Sequence, residues 1–211
     1  MRNSRKAGGE MKLLIIRHGQ SEADLLNVHE GRADFALTEA GKTQAGNMAR
    51  AVCKNHSITR IYSSPLKRAA ETAGYLALET GLSVEMLDDL MEFQNGLIAG
   101  MDRAEALEKY PPVENLPLHK SVYGQESKLE FRFRAERALS RILSENDAEA
   151  TVAVVTHGGM INQLYHAFLK LPVESAAGFP TGDTGVHCWL VSGKKRLILQ
   201  ANDTSHNDRE S

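Results

Sequence analysis

The sequence predicts an α/β fold, namely a three-layer α/β/α sandwich with a largely parallel central sheet. Short apolar runs of strand length alternate along the chain with longer segments in which apolar residues recur at helical spacing. Several of the short runs are apolar throughout instead of at every second residue, which is typical of strands covered by helices on both faces. The 211 residues, 42% of them hydrophobic, suffice for one domain with a full core.

The first half of the chain contains three predicted strands, at residues 12–17, 58–63 and 83–87. A helix follows Thr38, whose hydroxyl can cap the helix N-terminus. The apolar stripe of this helix comprises Ala45, Met48, Ala49, Val52 and Cys53. A second helix is expected to begin near Pro65, because proline suits the first helical turn. Its buried face comprises Leu66, Ala69, Ala70, Ala73, Leu76 and Ala77.

The second half of the chain contains two long predicted helices, at residues 135–143 and 160–169. A strand at residues 151–156 lies between them. Two closing strands, at residues 185–191 and 196–201, are expected to form a hairpin. Alternation of strands and helices of this kind favours parallel pairing, and the final hairpin adds antiparallel strands at one edge.

We expect one domain at residues 11–206, flanked by disordered tails at residues 1–10 and 207–211. The first tail is polar and aperiodic, so it has little apolar surface to offset the entropy of ordering it. It also resembles a translated ribosome-binding sequence placed before Met11, which leaves open whether it is native. Residues 96–127 are interrupted by three prolines and are expected to form a surface excursion with one short helix near residues 103–110.

Composition excludes several classes of protein. A net charge of −2 argues against a broad surface for nucleic acid or for an anionic membrane. The longest apolar runs are too short to cross a bilayer, and the polar start does not resemble a secretory signal. Cys53 and Cys188 are too few for a disulfide framework and too scattered for a zinc site, and they are expected to be buried or half-buried small hydrophobes. These features predict a cytoplasmic protein.

Two predicted strands end in the same way, the first at Arg17-His18-Gly19 and the later one at Thr156-His157-Gly158. Ligands bind beyond the carboxyl ends of parallel strands, so both histidines are expected to face one crevice. A third strand end leads into a helix whose first turn carries Arg68. Arginines and histidines that converge at strand ends form an electropositive pocket suited to a phosphate.

These motifs resemble those of the histidine-phosphatase (phosphoglycerate-mutase-like) superfamily, in the same order along the chain. The resemblance extends over residues 12–206 and rests on five segments: residues 17–22, 63–73, 90–100, 154–159 and 202–206. It implies an enzyme that transfers a phosphoryl group to a histidine and from there to water. No metal and no other cofactor is implied, because arginine and histidine supply the positive charge.

The resemblance assigns a role to each matching residue. His18 is the expected nucleophile, which becomes a phosphohistidine. Arg17 and Arg68 would hold the phosphoryl oxygens, and His157 would donate a further hydrogen bond to the transferring group. Glu92 would protonate the leaving oxygen and then take a proton from the attacking water.

Two further substrate contacts are expected, at Gln20 and Asn27. Many members of the superfamily have an asparagine six residues after the nucleophilic histidine, where this chain has Asp24. A carboxylate is a poor phosphate contact because like charges repel. Asn27, which precedes Gly31-Arg32, resembles the superfamily's asparagine if a few residues are inserted after Ser21, and we favour it.

Two other functions remain open from the sequence. A phosphoglycerate mutase would return the phosphoryl group to a second hydroxyl, but residues 96–127 lack the paired arginines that such mutases usually carry. A catalytically inactive binding protein on the same fold is the other alternative, although all five catalytic positions hold competent residues. The expected partner is a small phosphorylated substrate, with the chain acting as a monomer or homodimer. The sequence does not identify the substrate.

Overall fold

The computed structural model describes residues 9–207, which form one six-stranded sheet with helices on both of its faces. The strands are β1 Glu10–Arg17, β2 Arg60–Ser63, β3 Val84–Met86, β4 Thr151–Thr156, β5 Val186–Ser192 and β6 Lys195–Asp203. The α-helices are α1 Glu22–Leu26, α2 Glu39–Asn55, α3 Lys67–Thr80, α4 Arg103–Lys109, α5 Lys128–Ser144 and α6 Gly158–Phe168. Short 3₁₀ helices occur at Asp88–Leu90 and Gly96–Ile98.

The sheet has the strand order β3-β2-β4-β1-β5-β6. The first four strands of this order are parallel to one another, and the hairpin β5-β6 joins β1 in antiparallel pairing. The predicted α/β fold with a largely parallel sheet is therefore confirmed. Its β5-β6 turn contains Gly193, whose φ of +58° lies in the left-handed region that glycine adopts without strain.

Alternate residues of the central strands supply two separate cores. Leu13 and Ile15 of β1 pack with helices α5 and α6 on one face of the sheet. Leu14 and Ile16 of the same strand pack with α2 and α3 on the other face. Side chains of a strand point to opposite faces in turn, so an entirely apolar strand requires helices on both sides. The structure thus has the three layers that the sequence predicts.

Helices α2 and α3 begin close to the predicted residues. Thr38 caps α2, since its hydroxyl accepts a hydrogen bond from the backbone N–H of Gly41. Helix α3 begins at Lys67, two residues after Pro65. Its buried face differs from the predicted one, because Arg68 and Thr72 are fully buried whereas Ala70 and Ala77 are only partly so. This polar interruption of an apolar face lies next to His18.

The ends of the domain extend beyond the predicted bounds. Glu10 pairs with Ser192 in the sheet, and Gly9 lies so close to Ala148 that a Cβ at Gly9 would stand 2.7 Å from the Ala148 carbonyl oxygen. The predicted first tail is therefore wrong at Glu10, which belongs to β1. At the other end Asn207 donates a hydrogen bond to the hydroxyl of Thr184. Residues 1–8 and 208–211 lie outside the described part of the chain.

Residues 96–127 cross the surface with one α-helix, α4, close to the predicted residues 103–110. Together with α6 and the segment that follows it, they border a cavity of about 1180 Å³ that is partly open to solvent. Phe93 and His29 border this cavity. Among the helices of residues 9–207, none is both long and apolar enough to span a membrane.

Candidate active site

The two strand-end histidines lie side by side because their strands are neighbours in register. Arg17, the last residue of β1, pairs with Thr156, the last residue of β4. The residue after each strand is a histidine, so the two histidines lie at the same edge of the sheet. The ring centroids of His18 and His157 are 5.1 Å apart. Arg68 reaches the same point from the first turn of α3. We call His18, His157, Arg17 and Arg68 the histidine pocket.

His18 is held in one orientation by its backbone neighbours. Its Nδ1 lies 2.7 Å from the carbonyl oxygen of Gly19. A carbonyl oxygen can only accept, so Nδ1 carries the proton and Nε2 of the neutral ring carries the lone pair, which accepts a hydrogen bond from Arg68. Arg68 Nε lies 3.3 Å from this Nε2. The ring is only 2% exposed.

Burial lowers the pKa of His18 well below its usual value, and the guanidinium groups of Arg68 and Arg17 lower it further. Burial likewise lowers the pKa of His157, with contributions from Arg68, His18 and Arg17. Both rings are therefore neutral at physiological pH. A neutral imidazole has the lone pair that nucleophilic attack requires.

His157 lies at the N-terminus of α6 and contacts Ser64, the residue directly after β2. Its Nε2 is 2.8 Å from the Ser64 hydroxyl oxygen, whereas Nδ1 has no hydrogen-bond partner among the described residues. The backbone N–H of Ser64 in turn donates to Val155 of β4. Ser64 thus holds the His157 ring through Nε2 alone.

Arg68 is fully buried and bound on three sides. Its Nη1 and Nη2 donate to the backbone carbonyl oxygens of Ala33 and Gly31, at 3.0 and 2.8 Å. Its Nε faces His18 and the carboxylate of Glu30, which lies 3.1 Å away. Burial lowers the pKa of Arg68, and the nearby carboxylate of Glu30 opposes this shift. The guanidinium is consequently fixed before any ligand arrives.

Arg17 is held by the segment that leads into β5. Its Nη1 donates to the carbonyl oxygen of Thr181 at 2.8 Å, and its Nη2 lies 3.2 Å from a carboxylate oxygen of Asp183. Its Nε is buried and has no hydrogen-bond partner among the described residues. Thr181 is fixed in turn by His187, whose Nε2 lies 3.0 Å from the Thr181 hydroxyl.

We expect His187 to make the fold sensitive to acid. The Asn202 backbone N–H donates to its Nδ1, so this nitrogen must be unprotonated in the folded protein. Burial lowers the pKa of His187 from 6.5 to about 4. The neutral His187 ring makes its full contribution to the free energy of unfolding above its pKa in the unfolded chain. This contribution is lost as the pH falls from there towards 4. The loss is at most about 3 kcal/mol.

Urea unfolding of the wild type and His187→Asn across this pH range checks the expectation. Asparagine retains an acceptor for the Asn202 N–H and does not titrate. The free energy of unfolding should fall less steeply with acid in the variant. Parallel curves for both proteins would show that His187 does not contribute.

Glu92 reaches the same edge of the sheet from the turn after the first 3₁₀ helix. Its Oε2 accepts a hydrogen bond from the backbone N–H of Gly159 at 2.8 Å, and its Oε1 accepts one from Phe93 at 2.8 Å. A Cβ at Gly159 would overlap the carboxylate, so a larger residue there would displace Glu92 from this position. The Thr156 hydroxyl also donates to the carbonyl of Leu90 at 2.6 Å. Glu92 is therefore tied to the N-terminus of α6, next to His157.

Two arginines that the sequence does not single out as site residues hold the Glu92 turn. Arg134 of α5 donates to the carbonyl oxygens of Asp89, Met91 and Glu92. Arg32 donates to the Glu92 carbonyl at 3.3 Å. Arg32 could be noticed in the sequence because it belongs to the Gly31-Arg32 pair, whereas Arg134 is one of several arginines in an amphipathic helix.

Glu30 is another residue that sequence reasoning missed. Its Oε2 lies 3.8 Å from His18 Nε2, and its Oε1 contacts Arg68 Nε and the Ser21 hydroxyl. Burial raises the pKa of Glu30, and Asp24 contributes in the same direction, whereas Arg68 and Ser21 oppose the rise. A carboxylate thus faces the histidine pocket directly.

The two predicted secondary contacts, Gln20 and Asn27, stay predictions. Gln20 Oε1 accepts a hydrogen bond from the Thr38 hydroxyl at 2.8 Å, which directs its oxygen towards the start of α2. Asn27 is exposed at the C-terminus of α1, and no contact among the described residues brings its side chain to His18. Asp24 accepts hydrogen bonds from the backbone and hydroxyl of Ser21, so it caps α1.

Comparison with known proteins agrees with this geometry. The sequence profile of the histidine phosphatase superfamily (branch 1) matches residues 13–204. Phosphoserine phosphatase 1 of Hydrogenobacter thermophilus is 30% identical over 201 residues, which cover 93% of this chain and 94% of that protein. Glucosyl-3-phosphoglycerate phosphatase of Mycobacterium tuberculosis is 30% identical over 175 residues, or 78% of each chain.

A solved structure has the same fold. The mycobacterial glucosyl-3-phosphoglycerate phosphatase in complex with VO3 superposes with a TM-score of 0.79 and 28% identity, covering 90% of this chain and 98% of that one. The profile match over most of the chain and the phosphatases among its relatives agree with the histidines, arginines and carboxylate gathered at the strand ends. The chain belongs to the histidine phosphatase superfamily and hydrolyses phosphoric monoesters through a histidine.

Proposed function

We propose that His18 is the nucleophile of this hydrolysis, with Arg17, Arg68 and His157 binding the transferring phosphoryl group. The observation that carries the proposal is the orientation of His18, whose Nδ1 is bound to Gly19 and whose Nε2 faces the histidine pocket. Attack by Nε2 forms the N–P bond as the ester P–O bond breaks. The guanidinium groups neutralise the charge on the phosphoryl oxygens, and the neutral ring of His157 donates a hydrogen bond to one of them.

Glu92 serves as the general acid and base in this proposal. Its carboxyl gives a proton to the leaving oxygen in the first step. In the second step a water molecule attacks phosphorus, the N–P bond breaks, and the water's proton passes to the Glu92 carboxylate. The contacts with Gly159 and Phe93 support this role, because they fix the carboxyl group beside His157.

The leaving group is proposed to occupy the cavity under the excursion at residues 96–127. The cavity adjoins Phe93, directly after Glu92, and Ile98, Leu116, Val122 and Tyr123 line part of it. This lining fits a small phosphorylated compound with a partly apolar leaving group. A screen of phosphorylated metabolites for release of inorganic phosphate tests the function and identifies the substrate.

Hydrolysis is favoured over mutase activity. The segment at residues 96–127 lacks paired arginines for a substrate carboxylate, and the two relatives compared over most of their length are named phosphatases. Gln20 and Asn27 are kept as proposed substrate contacts that would require side-chain movement. We further propose a cytoplasmic enzyme, monomeric or homodimeric, with no nucleic-acid or membrane partner, in keeping with the net charge of −2.

Activity is expected to survive an excess of EDTA. The positive charge that neutralises the transferring group comes from Arg17 and Arg68, so a divalent cation is not needed for that purpose. Phosphate release should be measured after exhaustive dialysis against chelator, with each divalent metal added back separately. A loss of activity that one metal restores would overturn the expectation.

A further inference from the structure

Glu30 lies where a phosphoryl group on His18 would have to fit. Its Oε1 is occupied, because it contacts both Arg68 Nε and the Ser21 hydroxyl. Its Oε2 is 3.8 Å from His18 Nε2, the atom to which phosphorus would bond. The side chain is 19% exposed. The carboxylate therefore borders the reacting atom.

An ionised carboxylate and a phosphoryl oxygen both accept hydrogen bonds and cannot donate to each other. With phosphorus on Nε2, one phosphoryl oxygen would come into contact with Glu30 Oε2. That contact is repulsive unless a proton lies between the two oxygens. A protonated Glu30 becomes a donor, and its hydroxyl can then bind the phosphoryl oxygen.

We propose that Glu30 couples anion binding to proton uptake, so that the histidine pocket accepts a phosphoryl dianion together with one proton on the Glu30 carboxyl. The proposal rests on the phosphatase function proposed above and adds a specificity-determining residue to it. Loss of that proton at higher pH then favours release of the phosphate product.

The charges around Glu30 are compatible with this behaviour. Arg68 and Arg17 favour the ionised carboxylate, His18 faces it as a neutral ring, and Asp24 opposes ionisation from α1. Burial is the largest effect and raises the pKa of Glu30 in the free protein. A bound dianion would raise it again, because it brings negative charge next to the carboxylate.

Tungstate is a suitable probe because its dianion does not itself take up a proton around neutral pH. Its affinity should be measured by calorimetry, at several pH values and in buffers of different ionisation enthalpy, for the wild type and Glu30→Gln. Above the pKa of Glu30, the affinity of the wild type for tungstate should fall by about tenfold per pH unit. On binding tungstate, the wild type should take up about one more proton than the variant. Glu30→Gln should bind more tightly than the wild type at the highest pH.

Ser21→Ala provides a second variant in which the carboxyl group remains. Removing the hydroxyl takes away a contact that favours the ionised form of Glu30. The bend in the affinity profile, which is the pH at which tungstate affinity begins to fall, should therefore move to higher pH. This result would support the proposal even if Glu30→Gln failed to fold. Equal proton uptake in the wild type and a folded Glu30→Gln, or an unmoved bend in Ser21→Ala, would overturn it.

The same preparations separate this proposal from the proposed function. Phosphate release and an acid-labile phosphate on the wild-type protein test the phosphohistidine route without reference to Glu30. If both are present while the proton uptake does not depend on Glu30, only the coupling is wrong. If neither is present, the proposed function fails whatever the tungstate titrations show.

Discussion

His18→Ala is expected to reduce phosphate release by about 10⁴-fold or more, the magnitude found when a catalytic nucleophile is removed. The reason is that His18 offers the lone pair that faces Arg68 in the histidine pocket. His157 is equally buried, but one of its nitrogens contacts Ser64. His157→Ala should slow the phosphoryl transfer but still leave His18 as the residue to which the phosphoryl group is attached.

The measurement is an incubation with a ³²P-labelled substrate that is quenched in alkaline detergent, followed by assay of acid-labile and alkali-stable phosphate on the protein. Wild type and His157→Ala should carry label, whereas His18→Ala should carry none. The exposed His119 provides a matched control, and His119→Ala should retain both label and turnover. Label that persists in His18→Ala would assign the nucleophile to another residue.

The paired histidines could be predicted from sequence because their position depends on a regular pattern. Two apolar strands are each followed by His-Gly. If such strands are parallel neighbours in a sheet, the two histidines lie side by side, and β1 and β4 are neighbours of this kind. Arg68 followed from the same logic at the start of α3. The profile match and the relatives then confirmed the family and the chemistry.

Glu30 and Arg134 could not be predicted in this way. Glu30 lies in an irregular loop, and its place beside His18 depends on Arg68 binding the carbonyl oxygens of Gly31 and Ala33. Arg134 lies in an amphipathic helix, where an arginine usually faces solvent, and its contacts with the Glu92 turn exist only once α5 packs. Such contacts arise between segments far apart in sequence and leave no periodic signal.

The start of β1 at Glu10 could not be predicted for a related reason. Glu10 is polar, and periodicity does not distinguish a polar residue at a strand end from a disordered one. Antiparallel pairing with Ser192 at the far end of β5 extends the strand to Glu10. The partner strand thus determines where β1 begins, and that partner is some 180 residues away in the chain.

Glu92→Gln is expected to slow the hydrolysis of alkyl phosphates by about 10²- to 10⁴-fold, the usual contribution of general acid–base catalysis. An alkoxide leaves poorly without a proton, whereas a phenolate leaves without one. For aryl phosphates, the rate of the step that forms the phosphohistidine should therefore fall much less.

The substitution also changes how the side chain is held. Both carboxylate oxygens of Glu92 accept backbone N–H groups, from Gly159 and Phe93. A glutamine amide has one oxygen, so its NH₂ group would face one of these donors and lose that hydrogen bond. Glu92→Asp retains a carboxylic acid with a shorter reach, so it should hydrolyse alkyl phosphates faster than Glu92→Gln does. If Glu92→Gln were slow only because its side chain is misplaced, Glu92→Asp would show no such recovery.

The decisive measurement separates the two chemical steps by rapid quench. For an aryl phosphate, Glu92→Gln should show a rapid release of phenol followed by slow turnover, because attack of water still needs the general base. For an alkyl phosphate the release itself should be slow. Glu108→Gln, at an exposed glutamate of α4, is the matched control and should behave as the wild type. If the first step slows equally for alkyl and aryl substrates, Glu92 does not protonate the leaving oxygen.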